Sequence, residues 1–390
     1  MTIPRFEMPF GITLRVADTC CEAHQTQIWR IPMQVKIAAR LTAASLALMS
    51  LCGASLAQAP AYTVQQVHPE LAGMFGNSFN NKTRIAATIK NKKGKYVGAV
   101  CAAATCTEVP ALAGAPKGSI TSVRGIERLG HVVGNSPTAQ TYAHAILFDG
   151  VETRDLGAFP EDDCGGCSLI SYAHGINDKG QVVGSSQTAN GGFQAFVWKD
   201  GVMTKLPTLG GNGSEAVAIN SRGVAAGSAE LDEFTRESHA AIFRKGKVQD
   251  LGVLGTGSGS TAFDINNFDV VVGDSTTDGP NGVRPFIYSA GEMKQLPLPA
   301  NALNGSAYRI NDAGWVVGGY LPMGDSHGRA WVNDGHEVYD LNSLIPAADQ
   351  AQWIINGATD INASGQILVH ATKPSDLQTI YTLILTPTAN

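Results

Sequence analysis

Charge is sparse in this chain: Asp, Glu, Lys and Arg make up 16% of its 390 residues, and the basic ones are the scarcer half. From Pro60 onward there are 23 Lys and Arg (28 − 5) against 30 Asp and Glu (33 − 3), a net charge near −7. That balance argues against nucleic acid or an anionic membrane surface as a partner. Long apolar runs are missing as well. The stretch Leu41–Leu51 is well short of the roughly 20 residues a bilayer crossing needs, so no membrane span is expected. No P-loop, HExxH, nucleophile elbow, EF-hand loop or sialidase-type Asp box occurs. His131, His144, His174, His239, His327, His336 and His370 are scattered, and none stands at metal-ligand spacing from another. The sequence therefore nominates no catalytic residue and no cofactor, and its histidines mark no metal site.

Cysteine is scarce too. Beyond residue 59 only Cys101, Cys106, Cys164 and Cys167 occur, in two close pairs. In an oxidising compartment these predict two local disulfides, 101–106 and 164–167. A redox role for Cys164–Cys167 would want a helix N-terminus, and a zinc site would want two more soft ligands. The N-terminal region supplies the compartment. Met33–Arg40 is a cationic start, Leu41–Leu51 is the apolar core, and Ala57-Gln58-Ala59 is a small-x-small cleavage site before Pro60. This predicts a secretory signal peptide with Met33 as the initiator, cleavage after Ala59, and a periplasmic or extracellular protein. Cys52 follows bulky Leu51, which is wrong for lipoprotein processing. The expected division is a leader over 1–59 and a single domain over 60–390.

What the chain has in quantity is glycine, 44 residues, and a repeated phrase. Ile176-Asn-Asp-Lys-Gly-Gln-Val-Val-Gly184 is its best copy; others begin at Ile219, Ile265, Ile310 and Ile361, with weaker ones at Ile126 and Lys90. The mean interval is about 45 residues (271/6), which is the period of four-stranded propeller blades. Between phrases the order is constant. A half-buried strand leads into the Asn–Gly turn, a second strand returns, and a third follows, such as Ala195-Phe-Val-Trp198 or Ala330-Trp-Val332. A fourth element is built on Leu, as in Leu206-Pro-Thr-Leu-Gly-Gly211. The recurring aromatics read as blade-to-blade packing, and Asn and Gly as residues tolerating the positive φ of a tight turn. The first copy looks worn: Val109–Leu112 stands for its fourth strand and its third strand is nearly lost. The last copy lacks a fourth strand, while Tyr62–Val67 is an orphan. Pairing Tyr62–Val67 with Ile380–Leu385 would close a seven-bladed, all-β propeller with no open sheet edge.

These phrases, the Ala-x-x-aromatic strands (preceded by His144 and His239 in two cases) and Leu206–Gly211 resemble the HAF-type extracellular repeat family of secreted bacterial proteins. The resemblance covers about 85% of the chain and implies secretion, but brings no biochemical activity and no catalytic residues.

Function must then lie where the repeats differ. The loops between second and third strands are long and dissimilar, and they share a face with the blade-to-blade crossovers. Expected binding residues on that face are Glu161, Asp162 and Asp163 of the acidic insert ending at Cys167, with Glu230, Asp232, Arg236, Asp274, Arg284, Asp325, His327 and Arg329. Calcium ligation by Asn177-Asp178 or Asn311-Asp312 is a further reading of the turns. The sequence points to a monomeric, non-enzymatic binding or scaffold protein for a glycan, peptide or envelope partner. The alternative is a propeller hydrolase or lyase acting on a polysaccharide or lactone, with carboxylates and His converging near the axis.

Overall fold

In the computed structural model, six of the seven phrases are the turn between the first and second strands of a four-stranded antiparallel sheet. The structure describes residues 6–7, 13–14, 59–68, 73–102, 105–140, 142–159, 169–277 and 282–388. Two compact units are distinguished, Met1–Ala59 and Pro60–Asn390. Of the first, one short antiparallel pair is described, Phe6–Glu7 with Thr13–Leu14; the signal-peptide segment from Met33 to Gln58 lies outside the described residues.

The second unit is a seven-bladed propeller. The innermost strands of blades 1 to 7 are Phe75–Phe79, Ser122–Ile126, Ser171–Ile176, Ser214–Ile219, Ser260–Ile265, Ala302–Ile310 and Ile354–Ile361. Blade 7 takes three strands from the C-terminal segment and its outermost from Tyr62–Gln66, which pairs with Asp376–Pro387 in the register Tyr62↔Pro387 to Gln66↔Leu383. The apolar residues are gathered between blades, with one buried cluster at each of the seven junctions among the described residues. The third-strand aromatics Phe196, Phe243, Phe286 and Trp331 are buried there, each contributing about 1.5–3 kcal/mol of transfer free energy.

The structure corrects the reading of the first blade. Its inner turn is Asn80–Arg84, so the true copy starts at Phe79, 47 residues before Ile126 (126 − 79). The phrase at Lys90 is the turn from second to third strand. Asn91 Oδ1 accepts the N–H groups of Lys93 and Lys95 there, as the phrase Asn does elsewhere, which is why the two turns read alike. The third strand, Tyr96–Ala102, and the fourth, Thr105–Glu108, are both present, stapled by the Cys101–Cys106 disulfide. Cys164 and Cys167 lie outside the described residues.

The Leu elements are also different from expectation. In blades 3 to 5 the fourth strands are Val202–Lys205, Lys247–Asp250 and Glu292–Gln295, ending just before the Leu, whereas in blade 2 Thr153–Gly157 includes Leu156. Leu206 and Leu251 make one last ladder bond, to Ala195 O and Ala240 O, and the chain then crosses to the next blade. In blades 3 to 5 a buried serine at the head of the first strand ties it to the blade before: Ser171, Ser214 and Ser260 accept the N–H of Ala145, Ala195 and Ala240.

The phrase Asn has a role other than positive φ, a conformation that no Asn adopts among the described residues. Its Oδ1 caps the turn, as when Asn177 accepts from Lys179 and Gln181. Its Nδ2 donates to the backbone carbonyl of the matching Asn in the next blade. The bonds run Asn177→Asn220 (2.9 Å), Asn220→Asn266 (3.1 Å), Asn266→Asn311 (3.2 Å) and Asn311→Asn362 (3.2 Å). These amides are buried, so an unmade bond leaves its full desolvation cost. Asn266→Ala is therefore expected to destabilise by about 2–4 kcal/mol. Asn266→Asp, which keeps both caps as Glu127 does in blade 2, should lose less. Urea unfolding of the two variants checks this, and an alanine variant as stable as wild type would remove Asn266 from the account of the junction.

Candidate functional site

Glycine makes room on the loop face. The crossover from blade 3 to blade 4 reads Leu209-Gly210-Gly211-Asn212-Gly213. A Cβ on Gly210 would stand 2.4 Å from Leu231 O, and one on Gly213 would stand 2.6 Å from Glu230 Oε1. Glu230 holds this bare segment down: Gly211 N donates to Glu230 O, Glu230 N to Gly213 O, and Asn212 N to Glu230 Oε2 at 3.1 Å. The result is a depression of about 770 Å³ between blades 3 and 4, within the range of ligand pockets, about 300–1,000 Å³. Its walls come from the loop Thr188–Phe193, the crossover, and the loop of blade 4, with Lys205, Glu215, Glu230, Glu233 and Arg236 as charged groups. Arg236 and Ser238 also border a second space of about 390 Å³ between blades 4 and 5, whose far side carries Asp274. The two make one groove over three blades.

The expected binding residues separate into groups. Glu230, Arg236 and Asp274 line the groove. Asp232 shapes it indirectly, accepting from Phe234 N, Thr235 N and Thr235 Oγ1, which holds its carboxyl below the usual range. Asp274 is half-buried; burial raises its carboxyl and the Ser306 hydroxyl, 2.6 Å away, partly offsets that. Arg284 is turned aside to Leu303 O at 2.7 Å. Asp325, His327 and Arg329 form a cluster of their own on blade 6, with Arg329 Nη2 2.8 Å from Asp325. Glu161, Asp162 and Asp163 lie outside the described residues.

At the other end of the axis, first strands from all seven blades enclose about 310 Å³. Carboxylates do stand there, as the hydrolase alternative expects, but their oxygens are engaged. Asp264 accepts from Ile265 N and from Ile310 N of the next blade, both at 2.9 Å. Asp360 accepts from Ile361 N, Phe79 N and the Ser78 hydroxyl. Arg309 stands between blades 5 and 7, its Nε 3.9 Å from Asp360. The acids thus satisfy inner-edge N–H groups across blade junctions. Burial pushes the Asp264 carboxyl up to about 6, against the pull of Arg309, and raises Asp360 as well. The oxygens proposed for calcium are likewise occupied: Asn177 and Asn311 Oδ1 cap their turns, while Asp312 accepts from Asn267 and Asp178 from Arg128.

A raised acid stabilises the fold below its unfolded pKa, and that contribution is lost as pH rises through the folded one. Between pH 4 and 7 wild type should therefore lose up to about 3 kcal/mol through Asp264 alone, from a change of roughly two pK units. Asp264→Asn should flatten the profile over this window. Superimposable profiles of unfolding free energy against pH for the two proteins would refute the assignment.

Sequence reasoning missed three side-chain pairs. His144 and His239 each donate through Nδ1 to both oxygens of a carboxylate eleven residues on, Asp155 and Asp250, at 2.9–3.0 Å. The identical spacing in two blades is a signal that could have found them. Burial alone would raise Asp155, but His144 and the Gly157 N–H bring it below the usual range. The third pair, His174 Nε2 with Glu215 Oε1 at 2.7 Å, spans blades 3 and 4 and holds the Glu215 carboxyl low. No sequence spacing announces that one.

No protein-family model matches the chain, and no curated protein matches it in sequence. Among solved structures it is similar to a puromycin-hydrolyzing peptidase of Mycobacterium tuberculosis, with a TM-score of 0.52, 11% identity, and 85% of this chain aligned to 55% of that one. YCF48 bound to D1 peptide aligns with a TM-score of 0.45 and 10% identity over 84% of this chain and 97% of that one. The SapL1 lectin in complex with alpha methyl fucoside gives 0.40 and 12% over 69% and 95%. At such identities the likeness is one of fold.

Proposed function

We propose that this protein is an exported, non-enzymatic binding propeller of the HAF-repeat type, and that the loop-face groove over blades 3 to 5 takes its ligand. The observation that carries the reading is the Gly-stripped crossover under Glu230, which opens a large polar depression walled by the loops that differ most between repeats. Export is supported by the signal-like segment before Pro60 and by the Cys101–Cys106 disulfide. Among the described residues no helix is long and apolar enough to cross a membrane. The ligand classes that such a groove suits are a glycan or a peptide.

Arg236 offers a clean test. It lies on the groove wall with φ +56°, a backbone conformation glycine adopts freely. Arg236→Gly should leave the melting temperature unchanged or raised. It should also weaken binding to whatever a glycan array or a random-peptide phage library selects, by about five- to thirtyfold, or 1–2 kcal/mol. Unaltered affinity for every selected ligand would place the site elsewhere.

A further inference from the structure

The groove carries more than a site; its lining also discriminates between ligand classes. Its uncharged polar side chains are Thr188, Asn190, Gln194, Thr208 and Asn212 on the blade 3 side, while blade 4 adds Ser214, Ser228 and Ser238. Such hydroxyls and amides offer donors and acceptors in both senses. Between blades 3 and 4 apolar side chains in the lining are two alanines and Phe193, whose ring stacks on Tyr172 with centroids 5.9 Å apart and planes 29° apart; between blades 4 and 5 Val283 is the one apolar side chain among the described lining residues. There is no apolar socket to receive a peptide side chain. There is also no open strand edge for backbone pairing along the groove floor, since the second strands there, Val182–Gln187 and Ala225–Glu230, are paired on both sides.

The blade 4 loop that borders the trough carries a second aromatic. Phe234 is 85% exposed, among the largest exposures of any apolar side chain described. In the chain it stands between Glu233 and Arg236, which line the groove, while its own side chain is not part of the lining. Its loop is held still: Asp232 accepts three bonds from Phe234 and Thr235, Leu231 N donates to Glu237 O, and Glu237 N to Thr235 Oγ1. A phenyl ring kept in water on a braced loop has no packing role in the fold. Held beside a hydroxyl- and amide-lined trough, it offers a flat apolar face at low entropic cost.

From this juxtaposition we infer that the groove binds a neutral oligosaccharide, with Phe234 as a rim platform for the C–H face of one sugar ring and Phe193 inside the trough. The inference rests on the groove being the ligand site. A pyranose is amphipathic in the same way as this lining: hydroxyls around its equator, C–H groups on its faces. The lining carries acids and bases in mixed order, Lys205 and Arg236 among Glu215, Glu230 and Glu233, so it holds no single-sign field to select a polyanion.

Cellohexaose, chitohexaose, xylohexaose and mannohexaose are the probes, titrated calorimetrically into the wild-type protein, Phe234→Ala and Phe234→Trp. At least one should bind wild type. Phe234→Ala should weaken it by about tenfold or more without altering the melting temperature, and Phe234→Trp should retain it. Absence of binding by all four sugars overturns the inference, as does equal affinity of Phe234→Ala. A random-peptide phage library run in parallel separates the failures. Peptides that bind wild type but not Arg236→Gly, with no sugar bound, would overturn the glycan and keep the groove; no ligand from either source would overturn both.

Discussion

A chain lacking residues 60–68 is expected not to reach the native fold. Tyr62–Gln66 is the outermost strand of blade 7, and every one of its five residues has a partner on Asp376–Pro387. Its anchor is Tyr62, 1% exposed in the cluster that joins blades 6 and 7, beside Leu344, Trp353, Leu383 and Leu385. Tyr62 N donates to Leu344 O at 3.0 Å, and Thr388 N to Ala61 O at 2.8 Å. Without the segment, the longest strand of the domain would present an open, apolar edge, a template for association. Point variants divide the effect. Tyr62→Ala should cost about 3–5 kcal/mol for the lost aromatic. Tyr62→Phe should be neutral or stabilising, because among the described residues the buried hydroxyl has no hydrogen-bond partner. Solubility and urea unfolding of the three proteins read this out. A truncated chain with the wild-type transition would show that the ring does not depend on its closing strand.

Gly227→Ala should cost nearly as much as removing a core aromatic, although it adds one methyl group. In every blade the first strand carries a β-bulge opposite the second strand, and in blades 2 to 6 the last Gly of the phrase faces it. A Cβ on Gly134, Gly184, Gly227, Gly273 or Gly318 would lie 1.9–2.0 Å from a first-strand carbonyl oxygen. For Gly227 that oxygen belongs to Glu215, and the next atom met is Ala216 Cα at 2.9 Å, so only backbone could yield. We expect a loss of about 3 kcal/mol or more, the scale of overpacking that no rotamer relieves. Gly223→Ala in the adjacent turn, at φ +80°, is the control; it should cost about 1–2 kcal/mol, since the left-handed backbone is penalised while the new Cβ meets only the far end of the flexible Gln181 side chain, at 3.0 Å. Equal losses in thermal or chemical unfolding would mean that the bulge yields easily. Two blades show what else the position accepts: Ala87 fills it in blade 1, and Val369 in blade 7, where a second register shift between Ile355 and Gly357 accompanies it.

The ring was legible because its signals are local. A capping Asn, a turn Gly and a third-strand aromatic recur in a fixed order, each in at least five of the seven blades, and that leaves little choice of architecture. Where reading failed, a local signal had two uses. Asn91 caps a turn as Asn177 does, and nothing in nine residues tells a first-to-second turn from a second-to-third one. The worn first copy, Phe79–Ala87, hides because Thr83 takes the left-handed position at φ +55° without glycine. The Leu elements misled because an apolar crossover buried between blades reads like a strand. Of the site, Glu230, Arg236 and Asp274 could be reached through loop variation. Lys205, Gln194 and Phe193 could not, since the groove exists only where two blades and a Gly-rich crossover meet. Asp264 and Asp360 escaped for the same reason: their partners are backbone groups 46 and 281 residues away.

The amide ladder also gives the ring a grain. From Asn177 to Asn362 each blade is hooked to the next by the same bond, and Asn80 hooks blade 1 to Glu127 O of blade 2. Glu127 has no amide to pass on, so between blades 2 and 3 the turns meet only through Arg128 and Asp178, both well exposed. The velcro seam between blades 7 and 1 is different, reinforced by Asp360, Thr359 and His370 reaching into the first blade. Pulled or heated, a ring built this way should part between blades 2 and 3, where the turns share neither an amide hook nor the seam bonds, rather than where its two ends were joined. The propeller's effective ends, in the mechanical sense, are blades 2 and 3.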